Sequence, residues 1–253
     1  MLQPGIAYLA VKIGDLMQRR TFLSLCCVSA ASLLPGRALA EAGESKSRYA
    51  MLIDLRRCVG CQSCTVSCGA ENAVPLGNFR TTVSEYAMGG VPSEHKVPSV
   101  AVIPRLCNHC ENPPCVPVCP VGATFKRADG LVLIDATTCI GCGFCVQACP
   151  YDARFLNRET HTADKCTFCA HRTAAGLLPA CVENCVGGAR IFGDLRDPKS
   201  AVSKMLAAYK GKIAVLYPEK STDPHVFYLG LDRFFTRSDS IPQPMPITPL
   251  ERT

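Results

Sequence analysis

The chain has 253 residues, no tryptophan, 18 cysteines and a formal net charge of +6. That length suits one large domain or two small ones, and cysteine use this dense marks either a disulfide scaffold or a metal-cluster protein. Half of the net charge falls in residues 1–40 (Lys12, Arg19, Arg20 and Arg37 against Asp15), leaving a remainder too weakly basic to argue for nucleic acid or an anionic membrane surface.

Residues 1–40 read as a targeting segment. Arg19-Arg20 is followed by Thr21-Phe22-Leu23, an apolar run to about Leu34, and Ala38-Leu39-Ala40 as a small-residue cleavage site. This is the order of a signal peptide, and the arginine pair with Phe-Leu behind it points to the twin-arginine exporter and a periplasmic destination. The run is broken by Pro35-Gly36 and falls short of the ~18 residues of a membrane span, so no transmembrane helix of its own is expected. Met17 is an alternative start. Setting aside Cys26 and Cys27, inside the apolar run, leaves sixteen cysteines in residues 41–253.

Tyr49 to Leu55 is read as an apolar strand running into the first cysteine group, Cys58, Cys61, Cys64 and Cys68, spaced C-x2-C-x2-C-x3-C. Residues 69–106 form an insertion with loop signals at Gly89-Gly90, Pro92 and Pro98. The second group is Cys107, Cys110, Cys115 and Cys119, spaced C-x2-C-x4-C-x3-C. Ala123 to Lys126 and Leu131 to Ile134 then flank Asp129-Gly130, the signature of a hairpin. The third group, Cys139, Cys142, Cys145 and Cys149, repeats the first spacing, and the fourth is Cys166, Cys169, Cys181 and Cys185, C-x2-C-x11-C-x3-C. Ala189 to Phe192 follows as a strand. Ser200 to Tyr209 is predicted helical, Ile213 to Tyr217 and Val226 to Leu229 are predicted strands, and residues 240–253 form a Pro-rich tail.

Every group opens with C-x2-C and closes with C-x3-C, a fourfold internal repeat. The run from Cys139 to Pro150 fits the bacterial ferredoxin pattern C-x2-C-x2-C-x3-C-P. Two residues between thiolates let a loop wrap one corner of a cubane with backbone N–H groups aimed at sulfur, while the last cysteine is directed to the other cluster of a pair. Soft thiolates suit iron–sulfur clusters, and four of them leave no open position for a substrate. Structural zinc also uses C-x2-C pairs but not triplets with a remote fourth cysteine. A disulfide framework would need a strained pairing among so many such pairs.

His109, inside Cys107-Asn108-His109-Cys110, is read as a surface residue or a neighbour of the ligands, because its group already has four cysteines. Arg56 and Arg57 beside Cys58, and Lys165 beside Cys166, are read either as charges that tune a potential or as solvated loop residues. No nucleophile–base pair, phosphate loop or dinucleotide fingerprint is visible.

The expected fold class is α+β, with two ferredoxin-like bis-[4Fe-4S] modules of short strands and helices in residues 41–198. To these are added the 69–106 insertion, a helix and strand extension over 199–239, and the tail. The apolar core is small for the length, so bound clusters are expected to hold much of the fold and the metal-free chain is not expected to fold.

Residues 47–230 resemble the four-cluster iron–sulfur subunits of the molybdopterin (dimethyl sulfoxide reductase) oxidoreductase family. The segments that carry the likeness are YAMLIDLRRCVGCQSCTVSC, RLCNHCENPPCVPVCPVGATF, CVQACPYDARFLN, TADKCTFCAHR, LLPACVENCVGGARIFGDLRDP and PHVFYLGLD. The resemblance implies four [4Fe-4S] clusters held by Cys58, Cys61, Cys64 and Cys185; by Cys68, Cys166, Cys169 and Cys181; by Cys107, Cys110, Cys115 and Cys149; and by Cys119, Cys139, Cys142 and Cys145.

It further implies a non-catalytic subunit that relays electrons from an integral-membrane quinol-oxidising subunit to a molybdopterin catalytic subunit in anaerobic respiration. Groups one and four would face the catalytic partner. The expected terminal acceptor is tetrathionate; polysulfide, thiosulfate, dimethyl sulfoxide or another oxyanion is the alternative. A multi-cluster enzyme with its own substrate pocket and a free multi-cluster ferredoxin are the rival classes.

Overall fold

The structure, a computed structural model, describes residues 47–88 and 99–231. The targeting segment 1–40, the insertion tip 89–98 and the tail 240–253 lie outside the described residues.

In chain order the elements are β1 (Tyr49–Asp54), α1 (Ser63–Glu71), β2 (Thr81–Met88), β3 (Ser99–Leu106), β4 (Thr124–Lys126), β5 (Val132–Ile134), α2 (Phe144–Gln147), β6 (Arg154–Leu156), β7 (Ala163–Lys165), α3 (Ala170–Ala174), α4 (Ala180–Glu183), β8 (Arg190–Asp194), α5 (Ala201–Ala208), β9 (Ile213–Ala214) and β10 (Val226–Leu229). The class is α+β. Short helices carry cysteines, and short strands follow the cysteine groups.

The largest sheet runs β8-β1-β10-β9, with β1 antiparallel to β8 (Met51 opposite Phe192) and parallel to β10 (Met51 opposite Val226). A strand flanked on both sides and covered on both faces calls for a near-continuous apolar run. Ala50, Met51, Leu52 and Ile53 meet that demand and are fully buried. Alternation along β1 then divides the packing: Met51 and Ile53 join Phe168, Phe192 and Tyr228, while Ala50 and Leu52 join Val202 and Leu229 beneath α5. The helix starts where the Ser200 hydroxyl accepts a bond from the Ser203 N–H at 3.2 Å, a normal N-cap.

The insertion is more regular than its loop signals suggest. β2 and β3 pair antiparallel from Thr81 opposite Leu106 to Met88 opposite Ser99. Thr81, Val83, Ala101 and Ile103 are buried and alternate with more exposed neighbours, a period-2 pattern that the Thr and Ser content of β2 disguises. β4 and β5 form the hairpin read from Asp129-Gly130, with Gly130 at φ 85°. The β6–β7 hairpin was not anticipated, and β9 ends at Ala214 rather than at Tyr217.

β10 ties the C-terminal segment to the insertion. Tyr228 is fully buried, and its hydroxyl donates to the Pro104 carbonyl at 2.9 Å. Tyr228→Phe leaves that carbonyl without its partner, and a loss of about 1–3 kcal/mol is expected. It should be read as a lower thermal midpoint of the loaded protein at unchanged iron content.

Candidate metal-cluster sites

The cysteine turns share one backbone feature. The residue immediately before the second cysteine of each group has a left-handed conformation: Gly60 (φ 71°), His109 (φ 43°), Gly141 (φ 69°) and Phe168 (φ 52°). Such a residue folds the chain back sharply enough to turn N–H groups toward the preceding sulfur. The Phe168 N–H accordingly reaches Cys166 Sγ at 3.4 Å. Farther along the chain, the Ala189 N–H reaches Cys185 Sγ at 3.2 Å and the Ala163 N–H reaches Cys139 Sγ at 3.4 Å.

A left-handed conformation costs a side-chain-bearing residue roughly 1–2 kcal/mol. The two non-glycine cases stack on each other, His109 against Phe168 at 4.0 Å between centroids. His109 is therefore completely buried, which removes the surface reading and leaves it as a neighbour of the cysteines. Burial, followed by the nearby Lys165 charge, holds its imidazole well below the ordinary range. Its Nδ1 accepts from the Val132 N–H at 3.1 Å, so the neutral ring carries its proton on Nε2.

Three recesses are lined by cysteines from paired groups. Cys58, Cys61, Cys64 and Cys185 surround one, walled by Val83 and Pro104. Cys68, Cys166, Cys169 and Cys181 surround the second, walled by Thr81, Leu106 and Phe168. Cys107, Cys110, Cys115 and Cys149 surround the third, walled by Val132, Tyr151 and Arg154. Their empty volumes are alike, about 340, 270 and 300 Å³ including the mouths.

Cys119, Cys139, Cys142 and Cys145 line none of these three. Cys145 and Cys139 pack with Val132 and Ala163. Cys119 lies at the β4 loop, where burial opposes ionisation but the Thr124, Val121 and Ala123 N–H groups outweigh it and lower the thiol. Exposure is graded across the sixteen cysteines. All four around the second recess are buried, whereas Cys61 in the first set and Cys142 in the fourth are exposed.

Burial raises most of the enclosed thiols. It pushes Cys68 and Cys110 up to about 12, and Cys166 well above the ordinary range. Buried cations stand among them. Arg190 is 3% exposed; its guanidinium donates to Thr81 Oγ1 at 2.7 Å and lies 3.6 Å from Cys181 Sγ. Arg154 is 4% exposed and donates to Cys115 Sγ at 2.9 Å and Thr124 Oγ1 at 3.2 Å. Lys165, 1% exposed, donates to the Cys166 carbonyl at 2.8 Å and to the Val132 carbonyl.

Lys165 is thus not a solvated loop residue. Arg56 instead pairs with Asp54 at 2.7 Å and lies over the Tyr209 ring. Arg154 and Arg190 were missed in the sequence, although each stands five residues after the last cysteine of its group.

These residues fit iron–sulfur clusters. Among the described residues no three or more His, Cys, Asp or Glu side chains converge closely enough for a single metal ion. The thiols ring spaces instead, with N–H donors aimed at sulfur and buried cations beside them, as an anionic polynuclear group requires.

Comparison with known proteins agrees. Two family models, each described as a 4Fe-4S dicluster domain, match residues 57–123 and 98–195. The chain therefore belongs to the iron–sulfur subunits built from paired 4Fe-4S dicluster domains, the family that includes the B subunit of tetrathionate reductase. It is 60% identical to that B subunit from Salmonella typhimurium over 229 residues, covering 86% of this chain and 90% of that one. The corresponding protein of Archaeoglobus fulgidus is 49% identical, covering 74% and 84%. The B chain of polysulfide reductase from Wolinella succinogenes is 39% identical, covering 71% and 93%.

The turn geometry makes a graded prediction. Alanine at Gly60 meets only Val102 methyls at ordinary distance, whereas at Gly141 its Cβ collides with the His161 carbonyl oxygen. Gly141→Ala is expected to lower iron content per chain sharply and Gly60→Ala only slightly, measured on anaerobically purified protein.

Proposed function

We propose that this chain is the electron-transfer subunit of a tetrathionate reductase, holding four [4Fe-4S] clusters and carrying no substrate site. The first cluster is assigned to Cys58, Cys61, Cys64 and Cys185, and the second to Cys68, Cys166, Cys169 and Cys181. The third is assigned to Cys107, Cys110, Cys115 and Cys149, and the fourth to Cys119, Cys139, Cys142 and Cys145. The single observation that carries the reading is the gathering of cysteines from groups distant in sequence around common, largely buried recesses. The likeness to the Salmonella protein supplies the substrate class.

The groups held there supply one-electron transfer; the chain supplies spacing, charge and docking. Both ends of the cysteine array are framed by exposed apolar side chains. Val59 and Val186 are 68% and 76% exposed beside the first set, and Ile140 and Phe144 are 63% and 54% exposed beside the fourth. Patches of this kind suit subunit contacts. One end is assigned to a molybdopterin catalytic subunit, where an S–S bond of tetrathionate is cleaved to give thiosulfate. The other is assigned to a membrane subunit that oxidises quinol. Among the described residues no helix is long and apolar enough to cross a membrane, so attachment through that partner is part of the proposal. Export by the twin-arginine route rests on Arg19, Arg20 and the segment behind them.

Anaerobically purified protein should contain about sixteen iron and as many acid-labile sulfide per chain, with magnetically coupled [4Fe-4S] signals on reduction. Stoichiometric zinc, or half that iron in a saturated sample, would defeat the four-cluster reading. The chain alone should not reduce tetrathionate with a reduced dye, and turnover by the isolated chain would make it an enzyme.

A further inference from the structure

The three buried cations are placed by a rule. Arg190 lines the first recess, donates toward Cys181 of the second, and feels the charges of Cys181 and Cys64. Arg154 lines the third recess, donates to Cys115, and is also turned to Cys145 of the fourth set. Lys165 stands between them: one carbonyl it holds belongs to Cys166 of the second recess and the other to Val132 of the third. Each cation thus faces two consecutive cysteine sets and no two face the same pair.

Among the described residues no carboxylate pairs with Arg190, Arg154 or Lys165. Each arginine is steadied on its far side by a threonine hydroxyl at an equivalent place, Thr81 at the start of β2 and Thr124 at the start of β4. A cation buried without an acidic partner is costly unless an anion accompanies it. For the two arginines the anions within reach are the Cys181 and Cys115 sulfurs, while Lys165 reaches its two sets through the Cys166 and Val132 carbonyls.

We propose that Arg190, Lys165 and Arg154 are counter-charges interleaved with the four clusters, each setting the reduction potential of the two clusters it faces. The proposal rests on the cluster assignment above. A positive charge near a cluster favours the more negative, reduced state, so removing it shifts the potential downward. Arranged between neighbours, each cation also offsets the repulsion that an electron on one cluster exerts on the next.

The test is a reductive titration of the purified complex followed by EPR, with iron counted in the same samples. Arg190→Gln is expected to lower two of the four potentials, by tenfold or more in the reduction equilibrium (about 59 mV for a one-electron couple). Arg154→Gln should lower the other two, and Lys165→Met one from each pair. Arg190→Lys and Arg154→Lys keep the charge and should restore the potentials. Where a Gln variant loses iron, retention in the Lys variant supports the charge role.

The inference is overturned if Gln variants keep their iron and leave the potentials unmoved, or if Lys and Gln variants are equally impaired. Failure of the underlying reading is a separate result: wild-type protein without about sixteen iron.

Discussion

A thiol as enclosed as Cys166 or Cys181 does not ionise unaided, because loss of hydration raises it above the ordinary cysteine range. Yet it is the thiolate that binds metal. The fold is organised around this conflict. Tight left-handed turns aim N–H groups at sulfur, and Arg190, Lys165 and Arg154 place positive charge in the buried interior. Bound iron would complete the balance, since metal charge draws off thiol protons that burial would retain. Without it, burial would hold thiols such as Cys68, Cys110 and Cys166 in the neutral form beside unpaired cations, an arrangement that gives the polypeptide little reason to close.

The two modules meet that demand with different reserves. The first has a four-stranded sheet whose central strands are buried on both faces and which α5 covers. The second has two-stranded hairpins, contributes Cys107, Cys110, Leu131 and Tyr151 to the main core, and has for itself only a small cluster of Cys115, Val132, Cys145 and Ala163. Much of what would be side-chain packing elsewhere is cysteine here, so the second module leans more heavily on its metal. The modules are joined by an aromatic ladder, His109 on Phe168 and Phe168 edge-on to Phe192, which carries the second group's turn against the first module's sheet.

The cysteine spacing made the chemistry legible, because every group keeps the C-x2-C opening and the C-x3-C close whatever the length between them. The β4–β5 hairpin and α5 were legible for similarly local reasons, a turn dipeptide and an amphipathic run. What escaped was non-local. Nothing near Val226 says that it will lie beside Met51, since a parallel neighbour supplied by the C-terminal segment leaves no mark on either strand beyond its apolar character. The β2–β3 hairpin escaped because its inward threonine is polar by composition and serves as the anchor of Arg190. The arginines escaped because a charged residue in a short strand reads as surface until the anion beside it is known.

Burial along the array bears on how electrons would be kept on course. The second set is wholly buried, the third nearly so, and only the first and fourth expose a cysteine, Cys61 and Cys142. Exposed apolar side chains frame those two openings, which makes them surfaces to be covered by another subunit. Under the proposed assignment, an electron on an inner cluster would have neighbouring clusters as its accessible acceptors, with exchange with the outside confined to two ends. Solvent exposure also shifts cluster potential. Docking at an end would both close a route for loss and retune the cluster beneath it, so that the proposed relay would take its working potentials only with both of its proposed partners in place.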